Sequence, residues 1–290
     1  MNTIMQPPLG GGRALPVETV NAVLPPMPKV LLLAPTGSGK SHVLRTLVDA
    51  GLDVFILKTE PSEVLDDTDP KKIHWKYIPA AKVSWQTMIG HAKTINALTY
   101  KGLTQVEDIE KNKHTQFIDV LTTCNNFKCD RTGEAFGDVM SWGHDRAFVI
   151  DSLSGLSLMS KGLMCGSKPA PDRGEWGVAM DNIERLINQL TTGTTCMFIL
   201  TAHLEREPNQ LTGGDVLTVS TLGQKLGPKL PRFFSDVIHC VRKGNTFTWS
   251  TVTDMMDLKA RNLPWASDQK PSFVPLLQTW KARHARALSV

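Results

Sequence analysis

The stretch KVLLLAPTGSGKSHVLRTLVDAG, Lys29 to Gly51, limits the fold more tightly than any other part of the chain. An aliphatic run long enough for a buried strand gives way to Pro35 and two glycines. An amphipathic run then begins at Lys40 and stops at Gly51. A loop so poor in side chains has little to pack, so its backbone must serve something else. Gly37 and Gly39 permit turns that aim successive N–H groups inward, which makes a cradle for anionic oxygens. A helix starting near Gly39 points the positive end of its dipole at the same place. APTGSGKS, Ala34 to Ser41, fits the phosphate-binding loop, with Ala34 in place of the usual first glycine. The expected ligand contacts run through Ala34, Pro35, Thr36, Gly37, Ser38, Gly39, Lys40, Ser41 and His42. Lys40 adds a cation for the β- and γ-phosphates and the Ser41 hydroxyl can ligate Mg²⁺, so ATP and Mg²⁺ are the expected ligand and metal. Val43, Leu44, Leu47 and Val48 give the helix a buried face.

The rest of the pattern reads as α/β. Apolar runs at 29–34, 53–58, 146–151 and 195–202 alternate with helical segments, as in a mostly parallel sheet flanked by crossover helices. Runs at 235–242 and 246–253 look like an antiparallel closing pair around the turn at 243–245. Residues 1–27 hold five prolines and a triple glycine and read as a flexible tail; 28–273 form the core; 274–290 are a basic C-terminal helix or tail. Within the core, 73–145 read as a largely helical insertion, with Trp85, Met88, Ile89, Ala92, Ile95 and Leu98, then Phe117, Ile118, Val120 and Leu121, at helical spacing and expected in the core. A further helix is expected over 177–193. No apolar run approaches the roughly 20 residues that span a bilayer, and the N-terminus does not read as a signal peptide. Five scattered cysteines do not form a secreted framework, so a reduced, cytoplasmic compartment is expected. Cys124 and Cys129 could be half of a zinc site, with free thiols the better reading because a second close pair is lacking. The net charge of +4 is a weak basic bias, compatible with nucleic acid and common elsewhere.

A phosphate-binding loop needs an acid at the tip of a neighbouring strand to hold the metal. RAFVIDSLS supplies Asp151 after four apolar residues. Hydrolysis also needs a base to orient water. The position directly after Asp151 is Ser152, so the candidate is Glu60 at the end of DVFILKTE, with Glu63 its rival.

With these residues in order, the chain resembles phage-encoded ATPases with a RecA-like core, similar to the Sak-four-type single-strand annealing proteins. The resemblance covers about residues 28–273 and is carried by LLLAPTGSGKS, ILKTEP, NNFKCDRTGEAFGDV, RAFVIDSLSGLS, EWGVAMDNIERLI, ILTAHLERE, STLGQKLGPKLPRFFSDV and DLKARNLP. It implies a RecA-type rather than an AAA+ arrangement, with Glu60 as base and His203 as the residue that senses the γ-phosphate. Lys259 and Arg261 are implied to reach the nucleotide of a neighbouring subunit, in a ring or filament with ATP sites between subunits. It also implies ATP-dependent work on single-stranded DNA in recombination or replication, in the cytoplasm of an infected bacterial host. A phage single-strand binding or replication protein is a further implied partner, and no membrane is involved.

In such cores the loops after the third and fourth strands face the DNA. Here they would be about 154–176, with Lys161, Lys168 and Arg173, and 204–227, with Arg206 and Lys225. Glycines, Gly214 among them, would keep both mobile, and Trp176 is the main candidate for base stacking. Ordinary solvated loops are an equal reading. The C-terminal LLQTWKARHARALSV, with Lys281, Arg283 and Arg286, is either a basic helix for DNA or a partner, or a last helix docked on the core. The rival to DNA work is a nucleotide-switched loader or assembly factor acting on a protein partner.

Overall fold

The computed structural model describes residues 24–61, 65–107, 110–208, 213 and 215–288, and, of these, not the side chains of Gln224 and residues 286–288. The tail before Leu24, Glu63, Gly214 and the Arg286 side chain therefore lie outside the described residues.

In chain order the elements are β1 (Lys29–Ala34), α1 (Lys40–Val43), α2 (Thr46–Asp49), β2 (Asp53–Lys58), β3 (Ile73–Tyr77), α3 (Trp85–Ala97), α4 (Tyr100–Leu103), α5 (Gln116–Asn125), β4 (Arg146–Asp151), α6 (Leu153–Cys165), α7 (Arg173–Gly193), β5 (Met197–Pro208), β6 (Asp215–Val219), α8 (Gly223–Leu226), β7 (Asp236–Lys243), β8 (Thr246–Ser250), β9 (Lys259–Ala260) and α9 (Val274–Leu288). Among the described residues they form one nine-stranded sheet in the order β3-β2-β4-β5-β1-β7-β8, with β6 on β5 and β9 on β7. The pairs from β3 through to β7 are parallel. β7–β8 is the antiparallel closing pair that the sequence led us to expect, turning through Gly244 and Asn245.

β1 is buried along its whole length because a strand central to a parallel sheet is covered on both faces. Leu31 and Leu33 join one core with α5, α6 and α7; Val30, Leu32 and Ala34 join the other with α1, α2 and α9. Leu276, Leu277 and Trp280 bury the inner face of α9 in the second core, so the last helix docks on the sheet. α7 starts earlier than its apolar spacing indicates. Asp172 and Glu175 form a capping box that supplies the missing partners of its first N–H groups.

Three expectations need correction. First, the segment 73–145, expected to be largely helical, opens with a strand: β3 pairs in parallel with β2 at the sheet edge. The CDRTGEAF block then folds back along β3. Asp130 accepts from the Lys76 ammonium and the Tyr77 N–H, both at 2.8 Å, while Arg131 lies over the Trp75 ring and donates to the carbonyls of Ile73 and Thr68. Second, α3 buries none of its residues, and Trp85 is 78% and Ile89 52% exposed. Its apolar row is amphipathic but faces away from both cores. On α5, Phe117 and Val120 are buried as expected, whereas Ile118 and Leu121 are exposed. Third, the helix after the phosphate-binding loop is two four-residue pieces, because Leu44 and Arg45 N–H bond three residues back rather than four.

Asp236, the first residue of β7, ties the segment that follows β9 to the sheet. It is fully buried and accepts from the N–H groups of Arg261 (2.9 Å) and Asn262 (2.7 Å), from Asn262 Nδ2 (2.7 Å) and from Ser235 Oγ (2.8 Å). Removing the carboxylate orphans buried backbone donors. Asp236→Ala is therefore expected to lower stability by roughly 3 kcal/mol in urea unfolding, and a loss below about 0.5 kcal/mol would contradict this account.

Candidate active site

The loop after β1 takes its shape from two glycines in the left-handed region, Gly37 at φ +74° and Gly39 at φ +84°. Lys40 opens α1, yet its side chain folds back and is only 7% exposed. Its ammonium donates to the carbonyls of Ala34 (3.1 Å) and Pro35 (3.0 Å). Burial pushes the Lys40 pKa below its ordinary value, while the carboxylates of Asp151 and Glu60 oppose that shift.

The sheet register brings the other groups to this loop. Ala34 pairs with His203 across β1–β5, and Lys58 pairs with Asp151 across β2–β4. The carboxyl ends of β2, β4, β5 and β1 thus lie side by side, where ligands of open parallel sheets bind. Ser41 Oγ donates to Asp151 Oδ2 at 2.7 Å, and Thr201 Oγ1 donates to Asp151 Oδ1 at 2.5 Å. The donor set of Ser41 and Asp151 is all oxygen and fits a hard cation such as Mg²⁺.

Glu60 lies two residues past β2. Ser152 Oγ donates to its Oε1 at 2.8 Å, and His203 Nε2 is 3.5 Å from its Oε2. The His203 hydrogen bond holds the Glu60 pKa below the usual carboxylate range; the Ser152 bond adds to that and partial burial opposes it. The other ring nitrogen, Nδ1, is 3.3 Å from Lys40 Nζ and 3.4 Å from Thr36 Oγ1. An ammonium can only donate, so Nδ1 is the acceptor and Nε2–H faces Glu60. One imidazole therefore bridges the phosphate-loop lysine and the candidate base. The N-terminus of α6 can approach this corner because residue 155 is glycine: a Cβ there would lie 2.4 Å from Thr59 Oγ1. Together, residues 36–42, Glu60, Asp151 and His203 line a cavity of about 220 Å³.

Other expected site residues lie elsewhere. Lys259 and Arg261 flank the start of β7, which pairs with the start of β1, at the opposite edge of the sheet from the phosphate-binding loop. Lys259 Nζ donates to the carbonyls of Pro231 (2.8 Å) and Phe234 (3.2 Å), which makes it a strut for the turn before β7. Arg261 is exposed and lines a separate cavity with Arg232 and Arg283.

Of the two segments expected to be mobile loops, many of the described residues lie in helices and strands. Residues 154–165 belong to α6, and β5 runs on to Pro208 as a ribbon with β6. Lys161 lies over the Trp176 ring, Lys168 pairs with Glu175 at 3.0 Å, and Arg206 is 3.9 Å from Asp215. Arg173 and Lys225 are exposed, at the start of α7 and on α8.

Sequence reasoning missed Thr201 and Ser152. Thr201 was within reach, because it is two residues before His203 on one strand and so shares its face.

A family model described as AAA domain matches residues 27–263. A search of curated proteins finds no match. Among solved structures, an ATPase from the type III secretion system of pathogenic bacteria is similar at 13% identity and a TM-score of 0.38, over 83% of this chain and 65% of that one. The chain thus spans under two thirds of that ATPase's length. RadB recombinase is similar at 10% identity and a TM-score of 0.33, over 81% of this chain and 85% of that one. At such scores neither likeness bears on what this chain does.

A carboxyl with a lowered pKa adds stability that is fully present above the ordinary value of 4.5 and is lost as the pH falls through the lowered one. His203→Ala should raise the Glu60 midpoint, and Ser152→Ala should raise it less, when read from the ¹³C carboxyl shift of glutamate-labelled protein. An unmoved midpoint in both variants would contradict the bridge.

Proposed function

The chain belongs to the AAA domain family, and from that premise we propose that it is a Mg²⁺-dependent ATPase acting on single-stranded DNA as an oligomer, in phage recombination or replication. As a family member it is a P-loop ATPase domain; the metal, the DNA and the assembly are what we add. The observation that carries the reading is the convergence of Lys40, Ser41, Asp151, Glu60 and His203 on one edge of the sheet.

Mg²⁺ held by Ser41 and Asp151 would neutralise charge developing on the β- and γ-phosphate oxygens. Lys40 and the loop amides bind the same oxygens. Glu60, kept ionised by its lowered pKa, orients the attacking water and takes its proton. His203 links Lys40 to Glu60, so a change of charge at the phosphates alters the hydrogen bond that the base receives. It also begins the part of β5 that runs into the β5–β6 ribbon, which carries Arg206. In this reading the ribbon is the route from nucleotide to DNA, with Arg173 and Lys225 as the exposed cations; Lys168, held by Glu175, and Lys161, over the Trp176 ring, are already engaged. In an oligomer, Arg261 of one copy would serve the nucleotide of the next. We leave Lys259 out of that role because its ammonium is already bonded.

A second reading, a nucleotide-switched loader for a protein partner, is favoured by the exposed apolar row Trp85, Met88, Ile89 and Ile95 on α3. ATPase rates with and without single-stranded DNA separate the two. Lys40→Ala should abolish ATP binding. Glu60→Gln should bind ATP nearly as well as the native protein and lose roughly 10²-fold or more in kcat. DNA should raise the native rate; a rate unchanged by DNA, with no DNA binding, would favour the loader.

A further inference from the structure

At the amino edge of the sheet, away from the phosphate-binding loop, lies a cavity of about 520 Å³. The turn before β7, the segment after β9 and α9 each supply one arginine to its wall: Arg232, Arg261 and Arg283. Lys29 and Lys259 line it as well, and among the described residues no Asp or Glu does. Five cations thus share one cavity without a carboxylate in its wall.

The bonds these cations make leave much of the charge uncompensated. Lys29 is only 6% exposed, and its ammonium donates to neutral groups, the carbonyls of Thr194 (2.9 Å) and Cys196 (2.6 Å) and the Thr194 hydroxyl (2.7 Å). Burial pulls its pKa down to about 8. Lys259 is bonded to carbonyls, and Arg283 Nη1 lies 3.5 Å from Asn262 Oδ1. The Arg261 guanidinium is exposed and has no partner among the described residues. Two carboxylates touch this group of residues. Glu184 is shared between Arg232 and Lys229, and Asp236 accepts from Ser235, Asn262 and the Arg261 N–H, so a surplus of positive charge remains.

The rest of the wall narrows the kind of anion that fits. Pro25, Pro26 and Pro28 carry no N–H, so they offer an extended peptide no main-chain donors. Phe234 and Trp280 are buried, and Phe233 lies under the Arg232 guanidinium, which leaves a base little to stack on. What remains is a set of guanidinium forks, whose geometry matches phosphate oxygens. A lone carboxylate would offset one charge, whereas consecutive phosphates bring at least one each. We propose that this cavity is a second anion site, which takes a run of phosphate groups and reads their charge without reading bases. The phosphates belong to a nucleic acid backbone or to free polyphosphate. The inference goes beyond the ATPase reading, which uses Arg261 alone here, and only toward the nucleotide of a neighbouring copy.

Calorimetric binding of polyphosphate and of oligo-dT tests this in the full chain carrying Lys40→Ala, which silences the phosphate-binding loop. Polyphosphate should still bind. Adding Arg283→Gln should weaken it about ten-fold, and Arg283→Lys should weaken it less. Lys281→Gln, exposed on the same helix but outside the cavity wall, should leave it unchanged. A matching loss of oligo-dT in Arg283→Gln, repeated with an abasic strand, names a nucleic acid as the source; an unmoved oligo-dT affinity names free polyphosphate. Loss of polyphosphate binding in Lys40→Ala alone would overturn the site, leaving the cavity to act only against a neighbour's nucleotide. Equal losses in Arg283→Gln and Lys281→Gln would also overturn it, because diffuse surface charge then suffices. An oligo-dT loss in Arg283→Gln that the abasic strand does not share would overturn recognition by charge alone. ATP binding by the native protein is measured apart from all of these, so the site and the ATPase reading can fail separately.

Discussion

The site depends on one carboxylate at the end of one strand. Asp151 accepts from Ser41 on the phosphate-loop helix and from Thr201 on β5, and so ties the ends of β4 and β5 to the loop after β1. Those bonds are possible because β4 and β1 are not neighbours: β5 lies between them and contributes both Thr201 and His203. The parallel register then sets every remaining distance. It puts His203 level with Ala34, and it brings Glu60 around to the far side of the same ring.

The opposite face and edge of the sheet serve other ends. Phe55 on β2 and Phe148 on β4 pack with the buried Phe127 and Trp142, and the edge-on contact of Phe136 with Phe55 anchors the CDRTGEAF block there. At the amino-terminal edge, Asp236 and Lys259 satisfy backbone groups that would otherwise be buried without partners. Cations at that edge therefore divide into struts, such as Lys259, and exposed groups, such as Arg261. The same division runs through the basic residues of α6, α7 and the β5–β6 ribbon, where Lys168 is paired with Glu175 and Arg173 is exposed.

α3 shows where periodicity misleads. Its apolar residues recur at helical spacing, which reports that one face differs from the other and nothing more. Whether that face meets a core depends on which elements the chain brings opposite it. Here neither core does so, and the row from Trp85 to Ile95 remains on the surface.

Local chemistry was readable wherever it was local. The phosphate loop, the apolar strands, the closing hairpin, and Asp151 and Glu60 at strand ends all follow from short-range pattern, because backbone conformation and alternating burial are set within a few residues. Long-range pairing was not readable. That Thr201 supports Asp151, that Ser152 and His203 share Glu60, that Phe247 faces Gly39 and that the Lys259 ammonium caps the turn before β7 are each decided by strand order and register. Such contacts join residues far apart in the chain, and no spacing along the sequence encodes which of many apolar strands becomes the neighbour of which.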